Sequence, residues 1–338
     1  MSAMSDDTPL IQCSNPDCKI AETGQCVEGL DSAVCGNYGK PLRLLAESVD
    51  VASANPEVVS LPHADRLNPT EARNLLRKDR ARVIAIVGPH DSGKTSLIAS
   101  VYDQLQEGPI RPFAFRGSRS LHAFEQACHD ARAASERGVP HSERTKRGEV
   151  RFYHLDLLDQ RANEPITLML GDRAGEEYRE AGDEIDLAHE FIEVARADVV
   201  TLLVDGKRLA DDGQRHNTRD ELLVILQALK DADVVAAGTR LAIVLTKIDA
   251  VRVSPNSNRV DADLAADVAK LQTHFADCFA DFATFRIAAS PTEHGVVRGI
   301  GVADVLAYWL SDVPALCVTV APHERHPRVI GRLVEVDL

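Results

Sequence analysis

Residues 88 to 95 read GPHDSGKT, a G-x4-G-K-[ST] run in which each residue type has a task toward a polyphosphate. Gly88 and Gly93 let the backbone wrap closely enough for successive N–H groups to point at phosphate oxygens. A helix starting near Lys94 adds its positive end. Lys94 reaches the β and γ phosphates as a mobile point charge, and Thr95 offers its hydroxyl to Mg²⁺. The expected phosphate-binding set is Gly88, His90, Asp91, Ser92, Gly93, Lys94, Thr95 and Ser96. Context supports it: Arg82 to Val87 is a continuous apolar, β-branched run suited to a buried parallel strand, and SLIASVYDQL after the loop has a helical pattern.

Downstream runs narrow the nucleotide. Ile166 to Leu170 reads as another buried strand and ends in GDRAGEE, with Asp172 and Gly175 in a D-x-x-G arrangement. Asp172 can hold Mg²⁺ through water, and the Gly175 N–H can meet a γ-phosphate. After a further strand at Val199 to Val204, Leu241 to Leu245 runs into Thr246-Lys247-Ile248-Asp249. A carboxylate at Asp249 accepts from both N1–H and the N2 amine of guanine, a donor pair that adenine lacks, while the Lys247 stem can lie along the base. Phe285 to Ser290 (FRIAAS) reads as a strand running into a small-residue loop, where the backbone at Ala288 and Ala289 can touch the base. The competing reading, an ATPase with a fortuitous TKID, predicts that Asp249→Asn leaves nucleotide preference unchanged.

GPHDSGKT, DRAG, TKID and IAAS, in this order, resemble the TRAFAC class of P-loop GTPases over roughly residues 81 to 312. That resemblance implies an α/β fold, a Ras-like doubly wound, mostly parallel sheet flanked by helices, which binds GTP/GDP with Mg²⁺. TGQCVEG, GSRSLHAFEQACHDA and RFYHLDL look like the bacterial double-GTPase type proteins of predicted conflict or defence systems. This implies a GTPase switch working beside protein partners encoded nearby, a sibling GTPase and an effector.

Carried over by position, Thr145 is the threonine that closes over Mg²⁺ and Arg144 a cis arginine for transition-state charge. With Lys94, Gly175 and Glu176 they form the expected catalytic set; Thr95, Thr145 and Asp172 form the Mg²⁺ set. Asp91 resembles the aspartate of translational GTPases, where a monovalent cation assists. Many Ras-like GTPases carry Gln after the switch glycine, whereas this chain has Glu176. A carboxylate beside a triphosphate predicts slow intrinsic hydrolysis unless a partner, Arg144 or Arg173 completes the site, with His90 a further contact for the attacking water. The same glutamate keeps open a rival reading, a nucleotide-locked scaffold.

Around these motifs the 338 residues carry 38 Lys+Arg against 52 Asp+Glu, a net charge of −14 that disfavours nucleic acid and anionic lipid as partners. The opening MSAMSDDTPL has no basic run followed by an apolar one, and no stretch is apolar enough to span a bilayer, so the expected compartment is the cytoplasm. Cys13, Cys18, Cys26 and Cys35, spaced C-x4-C-x7-C-x8-C, read as a Zn²⁺ site, since four soft ligands in a reducing compartment favour metal over disulfides. The expected organisation is a zinc element at 1–37, a linker with a short helix at 38–80, a GTPase domain at 81–312 and a β-like extension at 313–338. Within the GTPase domain, 107–148 is long for a switch I loop. Leu121, Phe124 and Cys128 fall at helical spacing there, and nine basic residues stand against five acids from 111 to 151. This predicts an inserted, partly helical element that docks an acidic partner.

Overall fold

Seven strands form one sheet in the order β2-β3-β4-β1-β5-β6-β7, where β1 is Ala81–Val87, β2 Phe113–Gly117, β3 Arg151–Asp159, β4 Glu164–Asp172, β5 Val199–Asp205, β6 Arg240–Thr246 and β7 Phe282–Arg286. The computed structural model describes residues 64–77, 80–137, 147–148, 150–291 and 296–311, with scattered positions between 20 and 39, and side chains from 132 to 137 excepted. The chain divides into two compact units, Met1–Leu61 and Pro62–Leu338. Every element named below lies in the second.

Strand β1 pairs in parallel with β4 and β5, β5 with β6, and β6 with β7; β3 runs antiparallel to β4 and β2. The sequences explain the centre: β5 (VVTLLVD) and β6 (RLAIVLT) are buried at every position, as strands covered on both faces must be. One face packs on α2 (Lys94–Glu107), α3 (Leu121–Arg137) and α11 (Val302–Leu310), with Trp309 fully buried and its indole N–H donating to Thr201 Oγ1 at 2.8 Å. The other face packs on α4 (Gly175–Glu180), α8 (Arg215–Asp231), α9 (Ile248–Val253), α10 (Ser257–His274) and the short helices α5 (Ile185–Ala188), α6 (Ile192–Ala195) and α7 (Gly206–Ala210).

Before β1, α1 (Pro69–Leu76) opens on a capping box in which Asn68 and Glu71 satisfy each other's backbone N–H groups. Leu67 exchanges two backbone hydrogen bonds with Phe152 of β3, at 2.8 and 2.9 Å, and Leu67 and Ala72 join a small core with Val83, Val150, Phe152 and Met169. Between α2 and β3 the inserted region supplies a helix and also an edge strand, β2, which the sequence reading did not include. Of the apolar stripe of α3, Phe124 and Cys128 are core, fully buried with Phe124 stacked on Tyr102 at 4.7 Å between centroids, whereas Leu121 at the helix start is exposed. Arg116 and Arg119 stay exposed beside it. Residues 313–338, with their β-like composition, lie outside the described residues.

Candidate functional site

The phosphate loop leaves β1 at Val87 and enters α2 at Lys94. Two residues in it take left-handed backbone angles, Asp91 at φ 59° and Gly93 at φ 97°. Glycine meets that demand without strain; Asp91 is among the few side chains that tolerate it. Gly88 is held by close approach, since a β-carbon there would fall 2.8 Å from Ser92 Oγ and 3.1 Å from Leu203 Cβ. Lys94 is buried, and its ammonium donates to the carbonyls of Gly88 and Pro89, each at 3.0 Å. Burial pushes its pKa down to about 8, against the opposing pull of Asp172, Glu176 and Asp91. Thr95 and Ser96 follow in the first helical turn, half-buried.

Asp172 ends β4 and is 1% exposed. Its Oδ2 accepts from Arg66 Nη1 at 3.3 Å, a partner 106 residues earlier. Gly175 opens α4 directly against the phosphate loop: a β-carbon on it would lie 2.5 Å from Lys94 Nζ and 2.6 Å from the His90 nitrogen. Glu176 comes next, with His90 Nδ1 at 3.4 Å from its Oε1. Partial burial raises the Glu176 pKa, but its own backbone N–H, His90, Lys94 and Arg147 outweigh that and hold it below the usual carboxylate range.

From the sequence, Arg173 is a candidate cation for the hydrolytic centre; the structure does not place it there. Instead its guanidinium is committed elsewhere, donating to Glu193 at 2.7 Å, to Glu177 at 2.5 Å and to the Glu190 carbonyl, over the face of Phe191 at 4.7 Å. Arg144 and Thr145 lie outside the described residues. So do Cys13, Cys18 and Cys26; Cys35 is half-buried with a free thiol, and no group of three or more His, Cys, Asp or Glu suited to a metal occurs among the described residues.

On the base side, Lys247 takes φ 53° at the start of α9, and Asp249 sits in that helix's first turn, 3% exposed. Thr246 Oγ1 donates to the Ser92 carbonyl at 2.9 Å and to the Val204 carbonyl at 3.2 Å. Lys247 Nζ bridges Asp205 Oδ2 at 2.8 Å and Asp91 Oδ2 at 3.2 Å. Ala288 and Ala289 are buried beyond β7, and Ile248 donates to the Ile287 carbonyl at 3.2 Å, which brings the IAAS loop to the TKID turn. Phosphate loop, TKID and IAAS therefore converge at the carboxyl ends of parallel strands, where doubly wound sheets bind ligands.

Two site residues escaped the sequence reading. Asp205, 1% exposed at the end of β5, caps α7 through the Lys207 and Arg208 N–H groups and holds Lys247; the signal for it was an aspartate closing an apolar strand before glycine. Arg66 carried no local signal.

Sheet order, phosphate loop and TKID turn together define a P-loop GTPase fold. The chain belongs to the Double-GTPase 2 family, whose model matches residues 82–310, more than half of its length, and it is accordingly a GTP-binding protein. No curated protein matches it. Among solved structures it resembles Roco2 RocCORdC bound to GDP from Methanosarcina barkeri (15% identity, 68% of this chain and 48% of that one, TM-score 0.33). It also resembles a bacterial selenocysteine-specific elongation factor, EF-Sec (18%, 68% and 28%, 0.35). A third likeness is the signal recognition particle receptor SRb-GTP/SRX complex from Chaetomium thermophilum (15%, 69% and 96%, 0.38). The chain spans about half of the first of these and just over a quarter of the second. Among the described residues no helix is long and apolar enough to cross a membrane.

Proposed function

We propose that the protein is a molecular switch that binds GTP and hydrolyses it with water to GDP and phosphate, slowly on its own. It acts in the cytoplasm beside protein partners of a bacterial multi-protein, defence-type system, a sibling GTPase and an effector, and engages neither nucleic acid nor membrane. The observation that carries the reading is the joint placement of Asp249 and the phosphate loop: Thr246 fixes one to the other through Ser92, so a single ligand with a guanine and a polyphosphate satisfies both.

Lys94 would leave the Gly88 and Pro89 carbonyls for phosphate oxygens, whose charge favours its ammonium form. Thr95, in the first turn of the helix that follows β1, and Asp172, at the end of β1's parallel neighbour β4, form an oxygen-only donor set of the kind Mg²⁺ takes, and Thr145 is the third candidate. Bound there, Mg²⁺ would neutralise charge between the β and γ phosphates. Asp91 is already engaged by Lys247, which supports a role in holding the base turn beside any aid from a monovalent cation. Glu176 sits where a neutral amide would best orient water, and its carboxylate is kept ionised by its surroundings, which supports a low rate. The same feature favours the second reading, a GTP-locked scaffold with negligible turnover. Cys13, Cys18, Cys26 and Cys35 remain the proposed ligands of a structural Zn²⁺.

The test is paired GTP and ATP binding with single-turnover hydrolysis, using Lys94→Ala and Asp249→Asn. GTP-selective binding that Asp249→Asn abolishes, with slow turnover lost in Lys94→Ala, is the expected result. Selective binding without turnover selects the scaffold, and equal affinity for ATP overturns the guanine assignment.

A further inference from the structure

Arg66 lies outside the four nucleotide motifs, yet its guanidinium rests on Asp172, the carboxylate at the end of β4. The segment that carries it is fastened independently of this contact. Leu67 pairs with Phe152, the Ala64 carbonyl accepts from the Ala123 N–H at 3.3 Å, and Asn68 closes the capping box that starts α1. Arg66 is thus presented to Asp172 by a strap whose seat does not depend on its side chain.

Among the described residues, Lys94 and Arg66 both bear on Asp172. Lys94 feels it as the strongest of the carboxylates around it, and Arg66 touches it directly. An arginine does not lose its charge at accessible pH, so a metal ion that takes the Asp172 carboxylate must displace a full positive charge from it. The two partners differ in freedom. Asp172 is 1% exposed and fixed at a strand end, while the Arg66 side chain is 28% exposed and can turn its head into water with its stem in place.

We propose that Arg66 competes with the divalent cation of the nucleotide site for the Asp172 carboxylate, so that metal binding displaces the guanidinium and the guanidinium weakens metal binding. The inference rests on reading Asp172 as the metal-side carboxylate and goes beyond it by naming an internal cation that opposes the metal. Because coupling is reciprocal, whatever holds the strap at Asp172 lowers Mg²⁺ affinity, and saturating Mg²⁺ loosens Arg66.

The experiment follows release of mant-GDP from the full chain across a series of free Mg²⁺ concentrations. Arg66→Ala and Arg66→Met should lower the Mg²⁺ midpoint about tenfold, a typical size for coupled sites, with Arg66→Lys close to wild type. In the parent protein the Arg66 Nε resonance, assigned by its absence in Arg66→Lys, should shift when Mg²⁺ saturates the GDP complex. The half-buried side chain, with its head at the surface, and the independent strap contacts leave folding intact, which Trp309 emission checks. Midpoints that stay put or rise in the two neutral variants, or an Arg66 resonance indifferent to Mg²⁺, overturn the competition while leaving the GTP reading standing. Wild-type release that ignores Mg²⁺ removes the role given to Asp172 and this inference with it.

Discussion

The Thr246 hydroxyl donates to the Ser92 carbonyl at 2.9 Å across 154 residues of chain, tying the guanine-reading turn to the phosphate loop. Thr246 is 2% exposed and its second acceptor is the Val204 carbonyl. Thr246→Val keeps the shape and removes the donor, leaving buried acceptors short of a partner. The expected cost is about 1–3 kcal/mol of stability. GDP affinity should fall alongside it, because Asp249 and Ser92 would no longer share a register. Urea denaturation with mant-GDP titration measures both; unchanged GDP affinity in a destabilised variant would show that the hydrogen bond is structural alone.

The motifs were legible because each compresses its chemistry into a few contiguous residues. Gly88, Gly93 and Lys94 must stand at fixed offsets, and the flanking strand and helix announce themselves by composition. Thr246 was read as part of TKID, but its bond to Ser92 was not, since nothing local encodes an acceptor 154 residues away. Arg66 on Asp172 and Asp205 under Lys247 are missed for the same reason. Strand β2 is five residues long with mixed burial, too short for alternation to separate it from a loop. Arg173 shows the converse failure. Its place beside Asp172 in sequence suggested a catalytic cation, whereas Glu193, twenty residues on and fully buried, claims it.

That claim has an energetic consequence. Arg173 and Glu193 are 3% and 0% exposed, and Tyr178 donates its hydroxyl to the same Glu193 at 3.0 Å. Arg173→Met leaves Glu193 and Glu177 facing a low-dielectric interior without their cation. The expected loss is about 3–5 kcal/mol. Adding Glu193→Gln should recover part of it, since the orphaned charge is then gone. Denaturation midpoints of the two singles and the double give the coupling. Additive losses would mean that the pair, despite its burial, is not a unit.

Lys94 ties stability and ligand binding to pH. Burial holds its pKa near 8 in the folded protein, below its ordinary 10.5, with Asp172, Glu176 and Asp91 resisting the fall. The unfolded chain therefore keeps this proton through a range where the folded one has released it. From this residue alone, stability rises with pH between about 8 and 10.5; the burial penalty stands in full below 8 and is relieved above. Phosphate oxygens reverse the preference, because they favour the ammonium. GDP binding above pH 8 must then take up a proton, and affinity should weaken by up to roughly tenfold per pH unit as the free lysine neutralises. The Lys94 ¹³Cε shift reads this directly. It should titrate near 8 in the protein without nucleotide and move above 10 with GDP; a midpoint already near 10.5 without nucleotide would mean that the three carboxylates fully offset burial.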